Sequence, residues 1–195
     1  MTNILRIESS IKGGASVTRK LTDKLVEKLS GASTGAIITE RNAQGIPLID
    51  GSWVGAAYTP ATDRNADQNA ALALSDTLIS ELRAADVIVI GMPIYNFGVT
   101  GPLKAWIDQI CRVGETFQYT ETGPKGLLSD TKVYVAYASG GVPMGSGYDF
   151  ASTYLRQVLG FIGITDVQFV AAEGVAANEA AAIARAEDQI EKLAA

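Results

Sequence analysis

Residues 86–98, which read DVIVIGMPIYNFG, decide the fold of this chain. The four residues 87–90 are all valine or isoleucine, and a short run of β-branched residues is typical of a strand that is buried on both faces. Met92 and Pro93 end the run, and an aromatic loop follows at 94–98. Open α/β sheets bind ligands outside the carboxyl ends of their central strands, so this loop is expected beside a binding crevice.

Strand-like and helix-like segments alternate along the rest of the chain. Strands are predicted at 3–8, 35–41, 86–92, 132–139 and 166–172. Helices are predicted from Ser16 to Ser30-Gly31, at 67–84, from Gly101, across 154–162 and from Asn178. Parallel neighbours need crossover helices, which predicts one α/β domain over 1–195 with helices on both faces of a parallel sheet. Five strands favour the flavodoxin-like order 2-1-3-4-5, which brings the loops after the first, third and fourth strands together.

Charge and hydropathy limit the partners. The 195 residues carry a net charge of -5 and show no stripe of Lys or Arg, so nucleic acid and anionic membrane surfaces are not expected partners. No apolar run approaches the roughly 20 residues that span a bilayer, and the first ten residues form a strand pattern instead of a signal peptide. We therefore expect a cytoplasmic protein.

Histidine is absent, which excludes the Ser-His-Asp, Cys-His and histidine-based zinc chemistries. Cys111 is the single cysteine, so neither an intrachain disulfide nor a CxxC pair can form. Its place on a helical apolar face predicts a small buried core residue. No metal site is expected, and catalysis must depend on carboxylates, hydroxyls, backbone amides or a cofactor.

The loop after the first strand, SSIKGGASVT at 9–18, has the composition of a phosphate site. Ser16 is placed to cap the first helix, whose free N–H groups and positive end would face the crevice. Ser10 and Thr18 add hydroxyl donors, and neither GxxxxGK(S/T) nor GxGxxG is present. This pattern favours one terminal monophosphate held by neutral donors. A serine-rich cap that binds nothing is the alternative.

Paired glycines follow the fourth strand, in the segment Ala138-Ser139-Gly140-Gly141, and would let the backbone approach a flat ligand closely. The three loops together offer a phosphate seat, an aromatic wall and a glycine edge. A planar cofactor with one phosphate fits them, and FMN is the simplest candidate.

Two connections, 42–67 and 113–131, are longer than such a fold requires. Both contain aromatic residues, and unstructured loops of this length are usually functional or interfacial. We expect a lid or a subunit contact here, with ordinary loop packing as the alternative. Lys104 and Asp108 are one helical turn apart and are expected to form a surface ion pair.

Four segments closely resemble the FMN-dependent NADH:quinone oxidoreductases known as azoreductases. They are PIYNF at 93–97, LKAWID at 103–108, GETFQYTETGPKG at 114–126 and LGFIGI at 159–164, and the likeness covers essentially the whole chain. The resemblance implies a homodimer with non-covalent FMN that passes hydride from NADH or NADPH to quinones and azo compounds in a ping-pong cycle. The flavin N5 carries that chemistry, so no catalytic side chain is implied.

The resemblance also implies roles by position. Asn96 and Phe97 would lie near N5, with an ordinary turn that packs on the third helix as the alternative. Tyr119 and Phe161 would contact substrate or form a lid. The implied cofactor contacts are Ser10, Ser16, Val17 and Thr18 at the phosphate, Ile94, Tyr95, Asn96 and Phe97 along the ring, and Ala138, Ser139, Gly140 and Gly141 at its polar edge.

Two positions depart from the family pattern. Val17 stands where glutamine is common, and Ala138-Ser139 stands where some members have Ser-Arg. Backbone contacts remain possible at both positions, and the choice between NADH and NADPH stays open. A flavodoxin-like one-electron carrier without a small-molecule substrate is the alternative function. Phosphodiester hydrolysis, a label that related sequences have carried, would need a metal cluster or an activated nucleophile, and the sequence offers neither.

Overall fold

The computed structural model describes residues 1–31 and 35–193. Strands and helices alternate through that part of the chain. In chain order they are β1 (Thr2–Glu8), α1 (Val17–Gly31), β2 (Ala36–Asn42), α2 (Gly51–Tyr58), α3 (Ala66–Ala84), β3 (Val87–Pro93), α4 (Gly101–Ile110), β4 (Phe117–Thr120), β5 (Gly123–Gly126), β6 (Lys132–Ser139), α5 (Phe150–Ile162), β7 (Val167–Glu173) and α6 (Glu179–Lys192).

Five strands form one parallel sheet in the order β2-β1-β3-β6-β7. This is the predicted order 2-1-3-4-5, because β4 and β5 pair with each other outside that sheet. Each predicted strand lies within one residue of its observed bounds. The register pairs Glu8 with Gly91 and Pro93 with Ala138, so the loops after β1, β3 and β6 begin at the same edge of the sheet.

The core lies on both faces of the sheet, as predicted. Neighbouring residues of β3 point to opposite faces, so Ile88 packs in the layer that contains Trp106 of α4, whereas Val89 packs in the layer that contains Leu21 of α1. Helix α6 covers the second face with Ala186 and other small residues, which allow it to approach β7 closely. No described helix is long and apolar enough to cross a membrane.

The two long connections contain secondary structure that the sequence analysis did not predict. The first holds α2, whose cap Asp50 accepts the backbone N–H of Trp53 at 2.8 Å. Two glycines lower the helix propensity of this segment, and burial of the Trp53 side chain, with its indole donating to Gln109 at 2.9 Å, holds the helix in place. The second holds the antiparallel hairpin of β4 and β5.

The hairpin is seated on the carboxyl end of α5 through direct backbone contact. A Cβ placed on Gly126 would lie 2.2 Å from the nitrogen of Gly163, so only glycine fits there. Gly163 ends α5 at φ 108°, and Leu128 donates its N–H to the Ile162 carbonyl at 2.9 Å. This contact determines where the aromatic residues of the hairpin lie.

Cys111 ends α4 and packs against the core cluster as predicted, although it is buried less completely than expected. Burial together with the nearby Asp108 carboxylate raises the pKa of the thiol to about 11. The group is therefore a protonated thiol at neutral pH. The predicted surface pair is confirmed, because Lys104 Nζ lies 2.6 Å from Asp108 Oδ1.

Candidate functional site

A cleft of about 330 Å³ opens at the carboxyl ends of β1, β3 and β6. This volume is at the lower end of the range for small-molecule sites. The predicted cofactor contacts line it except for Asn96, Phe97 and Gly141. Its lining consists of Ser10, Lys12, Ser16, Val17, Thr18, Pro93, Ile94, Tyr95, Ala138, Ser139, Gly140, Val175, Ala176 and Glu179.

The amino-terminal end of α1 forms one end of the cleft. Ser16 caps the helix as predicted, since its Oγ accepts the N–H of Arg19 at 3.3 Å. The same Oγ lies 2.9 Å from the Thr18 hydroxyl, and both side chains are buried. The first N–H groups of an α-helix have no partner within the helix and carry a partial positive charge, so this end of the cleft suits an anion.

A folded turn leads from β1 into this helix. Ser10 Oγ accepts the N–H of Lys12 at 3.2 Å, and the Lys12 carbonyl accepts the N–H of Ala15 at 3.2 Å. Ser16 then donates its N–H to Gly13 at 3.1 Å. These bonds hold Ser10, Lys12 and Ser16 at one end of the cleft.

The aromatic loop after β3 is a tight turn with an unusual backbone. Tyr95 and Gly98 exchange both N–H···O bonds at 3.1 Å, and the two residues between them have positive φ, 49° at Asn96 and 70° at Phe97. Turns of this kind normally take glycine at the second central position. Non-glycine residues in this conformation cost about 1 to 3 kcal/mol each and concentrate at ligand sites.

The same turn presents groups that its own chain does not use. Within the described residues, the backbone N–H groups of Asn96 and Phe97 have no acceptor. The Phe97 side chain is 51% exposed, and its ring centroid lies 6.4 Å from that of Tyr148. Asn96 and Phe97 are exposed and follow Ile94 and Tyr95 in the chain, but they are not among the residues that line the cleft.

Tyr95 carries a buried polar atom without a partner. Its side chain lines the cleft, and its hydroxyl has no hydrogen-bond partner within the described part of the chain. Buried hydroxyls in folded proteins are almost always hydrogen-bonded, to protein, ligand or ordered water. A ligand or an ordered water would supply the partner that this hydroxyl lacks.

The loop after β6 forms a rigid glycine edge. Ser139 lines the cleft, but its hydroxyl donates to the Val142 carbonyl, which also accepts the Tyr137 hydroxyl at 3.0 Å. Burial and the nearby Asp149 carboxylate raise the pKa of Tyr137 to about 12, so this donor keeps its proton at neutral pH. At this edge Gly140 lines the cleft and its carbonyl accepts the N–H of Ala176, while Gly141 is exposed and lies outside the lining.

The loop after β7, which was not predicted to take part in the site, also lines the cleft. Val175 and Ala176 donate their N–H groups to the carbonyls of Ser139 and Gly140, at 3.0 and 3.2 Å, and so close one side of the cleft. The rule that placed the other loops there applies equally to this strand, whose carboxyl end lies at the same edge. Glu179, the first residue of α6, also lines the cleft.

Lys12, a charged residue of the lining, was also not predicted, because only neutral donors were expected at the phosphate end.

Tyr119 and Phe161 do not reach the cleft of their own chain. Phe161 packs on Phe117 with ring centroids 4.4 Å apart. Tyr119, which is 70% exposed, meets the same Phe117 ring in a T-shaped arrangement, with centroids 5.7 Å apart. Within the described ranges, 1–31 and 35–193, no group of three or more Cys, Asp or Glu side chains is placed to hold a metal ion.

A parallel five-stranded sheet of this order, with a cleft at its switch point, defines a flavodoxin-like protein. The family described as having a flavodoxin-like fold matches residues 2–194. Among curated proteins, FMN-dependent NADH:quinone oxidoreductase 1 of Jannaschia sp. is 54% identical over 195 residues and covers 100% of both chains. The enzyme named FMN-dependent NADH:quinone oxidoreductase 1 of Hahella chejuensis is 50% identical over 191 residues, covering 97% of this chain and 94% of its own.

Solved structures agree in fold. An azoreductase from Bacillus anthracis str. Sterne superposes with a TM-score of 0.86 at 25% identity, covering 99% of this chain and 100% of its own. An FMN-dependent NADH-azoreductase from Bacillus anthracis str. Ames Ancestor, in complex with FMN, has a TM-score of 0.86 at 26% identity, covering 98% and 97%. The chain belongs to the flavodoxin-like family, within the group that these oxidoreductases form, and it is an oxidoreductase.

Proposed function

We propose that the protein is an FMN-dependent oxidoreductase that transfers two electrons from NADH or NADPH to quinones and azo compounds. One observation carries the proposal, namely that a single cleft combines three features. They are the hydroxyl-rich end of α1, the apolar wall at Ile94 and Tyr95, and the glycine edge at Gly140. The names of its relatives, which specify FMN, NADH and quinone, support the same function.

The residues present fit FMN. Ser10, Ser16 and Thr18 offer hydroxyl groups at a helix end that suits a phosphate, and Val17, where the family commonly has glutamine, would contribute its backbone N–H alone. The unpartnered hydroxyl of Tyr95 would gain a polar partner from the ligand. When bound, FMN would supply the redox chemistry, taking a hydride from the nicotinamide and giving electrons to the acceptor.

The chain itself would bind and orient the ring. The free N–H groups of Asn96 and Phe97 would donate to the edge of the ring that includes N5, and the backbone at Gly140 and Gly141 would face the opposite polar edge. Ala138 and Ser139 would contribute through their backbone, since the Ser139 hydroxyl is already bonded. Donor and acceptor would share one open face of the cleft and bind in turn, which is a ping-pong order.

The proposal includes a cytoplasmic homodimer. Besides Tyr58 at 74%, four aromatic side chains of the described residues are more than half exposed, and apolar surface of this kind usually marks an interaction site. They are Phe97 at 51%, Tyr119 at 70%, Tyr148 at 68% and Phe150 at 63%. A second copy that covers them would bring Tyr119 of its hairpin and Phe161 of its helix α5 to the open face of the cleft and so give these two residues the substrate-contacting role.

The test is an absorption experiment on the purified protein. The protein as isolated, or after addition of FMN, is expected to show a bound-flavin spectrum that NADH bleaches anaerobically and that menadione then restores. A colourless protein that takes up no added FMN would contradict the proposal. A protein that binds FMN yet oxidises neither NADH nor NADPH would contradict the enzyme and support the one-electron carrier.

A further inference from the structure

Two charged residues line the cleft, and they differ in how they are paired. The Glu179 carboxylate accepts a hydrogen bond from Lys20 Nζ at 3.2 Å. The Lys12 ammonium has no ion-pair partner within the described part of the chain, and the residue is exposed. The cleft therefore contains one neutralised anion and one cation that is free to bind a ligand.

The backbone places Lys12 at the phosphate end of the cleft. Its N–H is bonded to Ser10 Oγ at 3.2 Å, and its carbonyl is bonded to Ala15, the residue before the helix cap Ser16. All three of Ser10, Lys12 and Ser16 line the same cleft. The side chain of Lys12 thus extends from the turn that carries the neutral donors.

We propose that Lys12 is an electrostatic ligand of the cofactor phosphate, and that Lys20 keeps Glu179 neutralised so that this end of the cleft retains a net positive charge. The inference rests on the proposed function, and it identifies a cation that the expectation of neutral donors omitted. A phosphate monoester carries about -1.5 to -2 charges at neutral pH, and hydroxyl and N–H donors alone leave part of that charge unbalanced.

The test measures binding, not turnover. Flavin-free protein is titrated with FMN and, separately, with riboflavin, which has the same ring and no phosphate, while flavin fluorescence is followed. For Lys12→Gln we expect the FMN dissociation constant to rise about five- to tenfold, because an exposed ammonium–phosphate bond lies at the lower end of charged hydrogen bonds. The riboflavin constant is expected to stay unchanged, and the salt dependence of FMN binding is expected to weaken.

Matched variants separate a local contact from general charge. Lys12→Arg keeps the cation and is expected to bind FMN within twofold of the wild type. Lys24→Gln removes the same charge from an exposed position of α1 outside the cleft and is expected to leave both constants unchanged. A Lys12→Gln variant that binds FMN as tightly as wild type, or that weakens FMN and riboflavin equally, would overturn the inference.

The paired residues give an independent check. Lys20→Gln exposes the phosphate to the Glu179 carboxylate and is expected to weaken FMN binding, whereas Glu179→Gln is expected to strengthen it. The double variant should return close to wild type, since the two charges cancel. If each single variant changed the riboflavin dissociation constant as much as the FMN dissociation constant, the charge argument would be overturned. If the wild-type protein bound neither flavin, the proposed function would fail, an outcome distinct from a Lys12 variant that has no effect.

Discussion

Ser16 has two functions at one atom, because its Oγ caps α1 and also lies 2.9 Å from the Thr18 hydroxyl at the proposed phosphate position. We predict that Ser16→Asp weakens FMN binding at least tenfold. Aspartate caps helices as well as serine does, so the fold is retained while a negative charge is placed against the phosphate. The measurement is the FMN dissociation constant from fluorescence quenching.

Ser16→Asn is the matched control for that prediction. Asparagine has nearly the same shape as aspartate and is an equally good cap, but it carries no charge. Its FMN constant is expected to remain within about threefold of wild type. An Asp variant that binds FMN as tightly as the Asn variant would place the phosphate elsewhere in the cleft.

Phe97 is a second residue of the proposed site, and its backbone conformation lowers the stability of the fold. Its φ of 70° in the turn between Tyr95 and Gly98 is a conformation that glycine adopts without strain. We predict that Phe97→Gly raises the free energy of unfolding by up to about 1 kcal/mol, because relief of strain outweighs the loss of a half-exposed ring. Urea unfolding measures the change.

The control for Phe97→Gly is Phe97→Ala, which removes the ring but keeps a Cβ. It is expected to be no more stable than wild type, since the strain remains. If the glycine variant were also less stable than wild type, the turn would not be under strain. A raised KM for the quinone in both variants, with unchanged FMN binding, would indicate that the ring contacts substrate.

At the scale of elements, the hairpin of β4 and β5 depends on one close approach to α5. The nearest atom to a Cβ on Gly126 would be the Gly163 nitrogen, at 2.2 Å, and backbone atoms on both sides cannot move apart cheaply. We predict that Gly126→Ala lowers the free energy of unfolding by about 2 to 3 kcal/mol, the upper part of the range of about 1 to 3 kcal/mol found for overpacked sites. The urea midpoint of the full chain is the measurement.

Gly160→Ala, a variant within α5 itself, is the control and is expected to have the opposite effect on the free energy of unfolding. Gly160 lies on the exposed side of α5, and a Cβ there would meet nothing within 4 Å. Because alanine is a better helix former than glycine, this variant is expected to be up to about 1 kcal/mol more stable. If Gly126→Ala were as stable as wild type, the hairpin would be able to lift off α5 without cost.

Some strands and helices could be predicted from local sequence alone, and others could not. The strand at Val87–Pro93 was predictable because four β-branched residues in succession have few stable alternatives. Helix α2 was not, because its glycines disfavour a helix and the contact that holds it, between the indole of Trp53 and Gln109, joins residues 56 positions apart. The hairpin likewise depends on a glycine contact with α5 that local pattern does not reveal.

At the scale of the whole molecule, the sheet order followed from the crossover rule, and the loops at its carboxyl edge then came together as expected. That Ser10, Ser16 and Thr18 line one end of the cleft was predictable, since helix capping is local and the loop after β1 begins at this edge of the sheet. The positive φ of Phe97 and the pairing of Glu179 with Lys20 were not, because each depends on atoms that only the folded chain brings together.

Overall stability is expected to depend on pH through Asp149, the buried cap of α5. Burial alone would raise the pKa of this carboxyl, but the Ser152 hydroxyl and the N–H groups of Ser152, Gly145 and Ala151 donate to it and hold its pKa below the ordinary value. A carboxyl whose pKa is lower in the folded state stabilises the fold above the unfolded pKa, near 4, and this contribution is lost as the pH falls through the folded value.

We therefore predict that Asp149→Asn lowers the free energy of unfolding at pH 7 by about 1 to 2 kcal/mol, because an amide oxygen cannot accept all of these bonds. The variant should also lose less stability than wild type between pH 5 and about pH 3, since it has no proton to take up there. Urea midpoints across that range measure both effects. Asp188→Asn, an exposed position on α6, is the control and should follow the wild-type curve. Parallel curves for Asp149→Asn and wild type would show that another carboxylate determines acid sensitivity.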